Sequence, residues 1–169
     1  MPAPPLTPLA AAVLRVEPPP ERVLEVDCGD GDATLFLARE FPSARVRGVD
    51  RSADRIRAAT ARVGLDPEGR VAFKVGRRRA LPYPDDFFDL VAAVDGRPSA
   101  AEAARVLRPG GHLILARSRD RARAEGLRAK LLRWRLRRRG IVLSEATAAG
   151  DGSFSVGRLR GSDRAVPAE

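Results

Sequence analysis

Two glycines, an aspartate about twenty residues further on, and a few carboxylates near them are the residues best placed to hold a ligand. Gly29 and Gly31 follow the apolar run Val23, Leu24 and Val26, and Ala33, Phe36, Leu37 and Phe41 come next at helical spacing. A strand, a glycine turn and a helix in that order let a ligand approach the backbone closely. They also aim free N–H groups and the positive helix end at its polar groups. A second short strand over 44–50 ends in Asp50. That spacing brings a carboxylate on a second strand to the hydroxyls of a bound ribose. Together the two signals point to a nucleoside-bearing ligand on a doubly wound sheet. Asp95 closes a later apolar run, at the strand end where a catalytic base belongs. Cys28 sits in the glycine turn, where a helix N-terminus would activate a thiol and a small turn residue would serve equally well.

The rest of the chain must position these groups. At 169 residues with 44% hydrophobic side chains, it is long enough to bury one core without disulfides or metals. A helix is expected over 9–16 and another from Ser52 to Val63, with Ser52 as its cap. Strands are expected over 70–76 and 87–95, and a helix over 100–107. The sequence Arg108-Pro-Gly-Gly111 should form a turn before a strand that starts at His112. A long basic helix over 119–139 should bury one side formed by Leu127, Leu131, Leu132, Trp134 and Leu136. Strands over 141–148 and 153–161 should form a hairpin around Gly150, Asp151 and Gly152. Strands alternating with helices imply an α/β fold with a mostly parallel sheet and one antiparallel strand. The expected organisation is a loose Pro-rich segment with a short helix over 1–20, one domain over 21–161 and a flexible tail over 162–169.

Composition sets further bounds. The net charge is +9, carried almost wholly by arginine, since Lys74 and Lys130 are the only lysines. That balance fits either a basic source composition or an RNA-like or other anionic partner. One cysteine excludes an internal disulfide and fits a reducing compartment, so a cytoplasmic protein is expected. A lone Cys with a lone His, His112, argues against a zinc cluster, and no metal site is expected. No apolar run reaches the length of a membrane span.

Four stretches carry a family resemblance: "VLEVDCGDG", "VRGVDRSADRIRAA", "LPYPDDFFDLV" and "EAARVLRPGGHLIL". Over 21–115 the chain resembles the class I S-adenosylmethionine-dependent methyltransferases, most of all the small methyltransferase 11-type domain. The resemblance implies a Rossmann-like doubly wound sheet of seven strands in the order 3-2-1-4-5-7-6, with strand 7 antiparallel and S-adenosylmethionine as cofactor. It assigns Glu25, Gly29 and Gly31 to the methionine end of that cofactor, Asp50 to its ribose and Arg51 to the wall beside its adenine. Asp27, Cys28, Arg77 and Asp95 fall at further positions around it, Asp95 facing the methyl acceptor. Two positions depart from the family pattern. Asp27 stands where the first glycine of Gly-x-Gly-x-Gly is usual, and Arg77 where an acid commonly accepts the adenine amino group. The segment 96–104 is shorter than family members generally have, which implies an open acceptor site or one completed by a partner chain.

The resemblance therefore implies a methyltransferase acting on an unidentified small-molecule or macromolecular acceptor. The competing expectation is a methyltransferase-like protein without catalysis, whose basic face binds RNA or another anionic partner. The oligomeric state is open.

Overall fold

Residues 7–66, 68–118 and 126–161 are described by a computed structural model of the chain. Helix α1 (Pro8–Val13) starts under Thr7, whose side chain accepts from the Ala10 N–H. Strand β1 (Arg22–Val26) is buried on both faces, with Val23, Leu24 and Val26 at most 1% exposed, as a covered parallel strand must be. Helix α2 (Asp32–Glu40) follows the glycine turn, and β2 (Arg45–Asp50) lies parallel to β1. Helix α3 (Ala53–Ala61) is capped by Ser52, which accepts from the Arg55 N–H as expected. Strand β3 (Val71–Val75) pairs with β2, and β4 (Phe88–Val94) pairs with β1 on its other side. Helix α4 (Ala100–Val106) leads directly into β5 (Leu107–Ser118), the next parallel strand. Helix α5 (Gly126–Arg138) precedes β6 (Ile141–Leu143), β7 (Thr147–Ala149) and β8 (Gly152–Leu159).

The strand order is β3-β2-β1-β4-β5-β8-β6, with β7 also paired to β8. This is the expected doubly wound α/β sheet with its reversed strand. The reversed strand is eighth in the chain because the expected strand 141–148 is two pieces. Leu143 pairs with Gly157 and Thr147 with Phe154, so 144–146 oppose only 155 and 156. The extra residue forms a bulge. Ser144 bridges it, donating its N–H to the Val156 carbonyl at 2.8 Å and accepting the Val156 N–H on its hydroxyl at 3.1 Å.

A second difference concerns Arg108-Pro-Gly-Gly111, expected as a turn ahead of the strand. Leu107 already pairs with Phe88, and the next pair is His112 with Leu90. The four residues are thus a large bulge inside β5, opposite Asp89 alone. The Asp89 carboxylate holds it, taking Arg108 Nη1 at 3.0 Å and the N–H groups of Glu21 and Arg22 at 3.0 and 2.9 Å.

The two sheet faces carry separate cores. Leu9, Ala12 and Val13 of α1 and Leu37 and Ala38 of α2 pack on Val23, Val46, Leu90 and Ile114. The segment around α1 is therefore part of the core. Ala59 of α3 lies on the same side, beside Gly31. On the other face Ala100 and Val106 of α4 and Leu136 of α5 pack on Leu24, Val49, Val91 and Leu113.

Helix α5 does not bury the single apolar side expected for it. Leu136 is fully buried and Leu132 packs in part, whereas Leu127, Leu131 and Trp134 are 83%, 45% and 52% exposed. At about 100° per residue the two groups point to nearly opposite sides of the helix. The expectations for 1–6, 119–125 and 162–169 lie outside the described residues. Among the described residues no helix is long and apolar enough to cross a membrane.

Candidate functional site

The turn between β1 and α2 is built from three left-handed residues: Asp27 at φ 59°, Gly29 at 54° and Gly31 at 86°. Glycine enters this region freely, and aspartate is one of the few other residues that does so at modest cost. Asp27 therefore keeps the backbone course that a glycine would give. Its side chain turns toward the loop after β4, where Oδ2 accepts from the Arg97 N–H at 3.2 Å, and it packs against Gly96.

The expected carboxylate at the end of β2 meets this turn. Asp50 Oδ2 accepts from the Gly29 N–H at 3.0 Å, and Oδ1 from the Ser52 N–H at 2.9 Å. It is 4% exposed, and Arg55 approaches it to 4.0 Å. Arg62 clamps the far side of the turn, donating to the Asp30 carbonyl at 2.8 Å and to Asp32 at 2.6 Å. A Cβ at Gly29 would meet no atom within 4 Å, so this glycine borders open space. Gly31 borders the Phe73 ring instead; a Cβ there would lie 2.7 Å from it.

Glu25 lies elsewhere. It is 2% exposed and accepts a hydrogen bond from the Thr34 hydroxyl of α2. Burial pushes its pKa up to about 8, with Asp32 and Asp50 adding to the rise and the Thr34 bonds opposing it. At neutral pH this is mainly a neutral acid beneath the turn rather than a carboxylate facing a ligand.

Cys28 is buried at 6% exposure, its N–H bonded to the Val49 carbonyl at 3.0 Å. Burial first, then Glu25 and Asp50, push the thiol up to about 12. Those effects outweigh any help from the helix end, and the small turn residue is the reading that stands. Folded protein should resist a disulfide-exchange reagent at pH 7.5, with a thiolate fraction on the order of 10⁻⁴ or less, and react promptly once unfolded in guanidinium. Rapid modification of the native chain would contradict this placement.

Arg51 is exposed at the start of the loop after β2. Arg77 is exposed just beyond Gly76, whose N–H donates to the Asp50 carbonyl at 3.0 Å; its own carbonyl accepts from the Ala80 N–H. Asp95 also has a left-handed backbone, at φ 52°. Its Oδ1 accepts from the Ser118 N–H at 2.8 Å and hydroxyl at 3.2 Å, fastening the ends of β4 and β5 together. Asp95 and Asp32 line a hollow of about 290 Å³ beside α1. The structure thus brings Asp27, Cys28, Gly29, Gly31, Asp50 and the Arg77 loop to one end of the sheet, with Asp95 at the neighbouring strand end. His112 pairs with Leu90 and Arg158 at the start of the β5 ladder, away from this end.

Two features were missed from the sequence. Thr34, the partner of Glu25, stands nine residues away on the inner side of α2, at a spacing that no motif flags. Phe73 fills the space over Gly31 and Gly48; the isolated glycine in "RVRGVD" was the available sign of a close approach.

A family model described as "Methyltransferase domain" matches residues 23–111. Over 103 residues the chain is 38% identical to the ubiquinone/menaquinone biosynthesis C-methyltransferase UbiE of Geobacter sulfurreducens, covering 56% of this chain and 40% of that protein. Over 108 residues it is 36% identical to a fatty-acid O-methyltransferase of Mycolicibacterium smegmatis, covering 60% and 38%. The chain thus spans well under half the length of these curated relatives. Among solved structures, phosphoethanolamine N-methyltransferase 2 of Haemonchus contortus, in complex with S-adenosyl-L-methionine, superposes with TM-score 0.68 at 16% identity, covering 90% of this chain and 52% of that one. A Haloferax volcanii methyltransferase in complex with the Trm112 activator gives 0.71 at 20% identity, covering 89% and 88%. At such identities the likeness speaks for the fold.

Proposed function

Because the chain belongs to the class I S-adenosylmethionine-dependent methyltransferase family, we propose that it binds S-adenosylmethionine at the β1–α2 turn and transfers the methyl group to an acceptor at the ends of β4 and β5. The observation that carries this reading is the Asp50–Gly29 junction, a carboxylate at the end of β2 held against a left-handed glycine that borders open space. This arrangement fits the cofactor: a nucleoside can approach the bare Gly29 backbone, and a carboxylate has more lone pairs than the two N–H groups it already accepts. When bound, the cofactor supplies an electrophilic methyl group on a sulfonium.

The chain's own residues then have separate parts. Asp50 holds the ribose hydroxyls while keeping Gly29 in place. Gly31 and Arg62 shape the turn from the α2 side. Glu25, enclosed under the turn, acts on the methionine end only through Thr34 and the first turn of α2. Arg51 and Arg77 flank the adenine side from exposed positions. Asp95, fixed by Ser118, remains the proposed acceptor-facing carboxylate. Proximity and alignment do most of the work in such a displacement. The five residues between β4 and α4 form little cover, which supports an acceptor that arrives from an open side. The lone cysteine supports placing the protein in the cytoplasm.

Calorimetric titration tests this reading. Wild-type protein should bind S-adenosylmethionine and S-adenosylhomocysteine in the micromolar range. Asp50→Ala should weaken both by about 100-fold or more, since it removes charge-assisted bonds to ligand and turn alike. Absence of heat with wild-type protein at millimolar cofactor would overturn it.

A further inference from the structure

A groove of about 720 Å³ lies between α4, α5 and the loops after β3 and β4. Among the described residues, eight arginines and no acidic side chain line it. Arg78 and Arg79 come from the loop after β3, Arg97 from the loop after β4 and Arg117 from β5; α5 and the residue after it supply the rest. Helix α5 carries five arginines and Lys130 and no acid. Its Arg133 is used internally, donating to the carbonyls of Leu143 and Ser144 and to the Ser155 hydroxyl. Arg128, Arg135 and Arg138 are exposed along the groove. Like charges crowded in this way repel, so the arrangement is suited to a ligand that brings several negative charges. One phosphate is satisfied by two or three guanidinium groups; the six arginines exposed along the groove, Arg78, Arg79, Arg128, Arg135, Arg138 and Arg139, match a run of phosphates.

The groove also has an aromatic element. Trp134 lines it at 52% exposure, with the Arg138 guanidinium 5.0 Å from the ring centroid. An exposed indole among arginines is a platform on which an unpaired base stacks. The groove adjoins the cofactor turn as well: the backbone of Arg97 is bonded to Asp27, and Arg78 follows Arg77.

Resting on the methyltransferase reading above, we propose that this groove binds a single-stranded polynucleotide, held through its backbone phosphates and one base stacked on Trp134, and that this strand is the methyl acceptor. Phosphates and a base face are shared by RNA and DNA, so oligo-U and oligo-dT should bind alike, and a duplex, whose bases are already stacked, more weakly.

Fluorescence anisotropy with labelled oligonucleotides of about 15 residues tests the binding. Affinity should fall steeply with salt, at about 0.7 in log–log slope for each phosphate engaged. Arg135→Ala with Arg138→Ala should weaken binding at least tenfold and lower that slope by about 1.4. Trp134→Ala should weaken it about tenfold, and oligonucleotide should quench the fluorescence of wild-type protein, whose only tryptophan is Trp134. Arg39→Ala with Arg57→Ala, which removes the same charge from α2 and α3 on the opposite sheet face, should change binding less than threefold. An equal loss in that control, tighter binding of duplex, or an unquenched tryptophan would overturn the groove. Binding is measured without cofactor, so it stands or falls separately from the calorimetry. Transfer of labelled methyl from S-adenosylmethionine to the bound strand supports the acceptor assignment; a protein that binds both but leaves the strand unmethylated refutes it.

Discussion

Glu25→Gln should flatten the fall in stability that the wild-type protein shows between about pH 5 and pH 9. The folded chain holds the Glu25 proton up to about pH 8, whereas the ordinary value is 4.5. Between those values the folded state binds more protons than the unfolded one, so raising the pH destabilises it. The penalty is absent below the unfolded value and complete above the folded one. At about 1.4 kcal/mol per unit it amounts to roughly 4–5 kcal/mol. The groups whose pKa is lowered, Asp66, Glu102 and His112, act in the opposite sense and mainly at lower pH. The difference between wild type and variant isolates Glu25 from them. Gln still accepts from the Thr34 hydroxyl, and it carries no charge to desolvate. Urea denaturation at pH 5, 7 and 9 should show the variant gaining on wild type with each step. Parallel curves would mean that Glu25 ionises without penalty and is not enclosed as the structure has it.

How much of this was legible beforehand depends on the range of the interactions. The strand, glycine turn and helix around Gly29 and the carboxylate at Asp50 could be read because each rests on local pattern and one fixed crossover length. The sheet order followed from them through the family resemblance. The split of 141–149 could not be read, because a bulge is a mismatch in count between two strands and appears only when Leu143–Gly157 and Thr147–Phe154 are both known. The bulge at Arg108–Gly111 was hidden for a similar reason. Pro and Gly suggest a turn, and only pairing of Leu107 with Phe88 shows that the strand has already begun.

At the candidate site the residue types were legible and their orientations were not. Glu25 looked like a ligand carboxylate, but strand alternation turns it under the turn toward α2. Asp27 departs from the glycine pattern, yet it adopts the left-handed backbone of the glycine it stands for and reaches across to Arg97. The arginine groove needed the fold most of all. Residues near 78, 97, 117 and 128–139 share no spacing, and only the sheet and two helices bring them to one wall.

The same contrast between local and distant partners governs the second large effect, at Gly48 and Gly31. An alanine Cβ at Gly48 would lie 2.5 Å from Phe73 Cδ1 and 2.8 Å from the Thr34 hydroxyl oxygen. One at Gly31 would lie 2.7 Å from Phe73 Cζ and 3.1 Å from Ala59. Both glycines press on one ring, so the ring cannot escape one by moving toward the other and must swing outward. Overpacking of this kind costs about 1–3 kcal/mol, against a gain of about 0.5–1 kcal/mol from replacing a strand glycine. Gly48→Ala should therefore destabilise by about 1–2 kcal/mol. Gly31→Ala adds the cost of a left-handed alanine at φ 86°, roughly 1–2 kcal/mol, and should reach about 2–4 kcal/mol. A double-mutant cycle with Phe73→Ala separates the two terms. Removing the ring should rescue most of the Gly48→Ala loss, leaving the Thr34 contact. It should rescue only the steric part at Gly31, because the backbone strain there has no partner to delete. Additive losses in both cycles would show that Phe73 does not rest on the glycines. Equal rescue in both would show that Gly31 needs only space and not its unusual backbone.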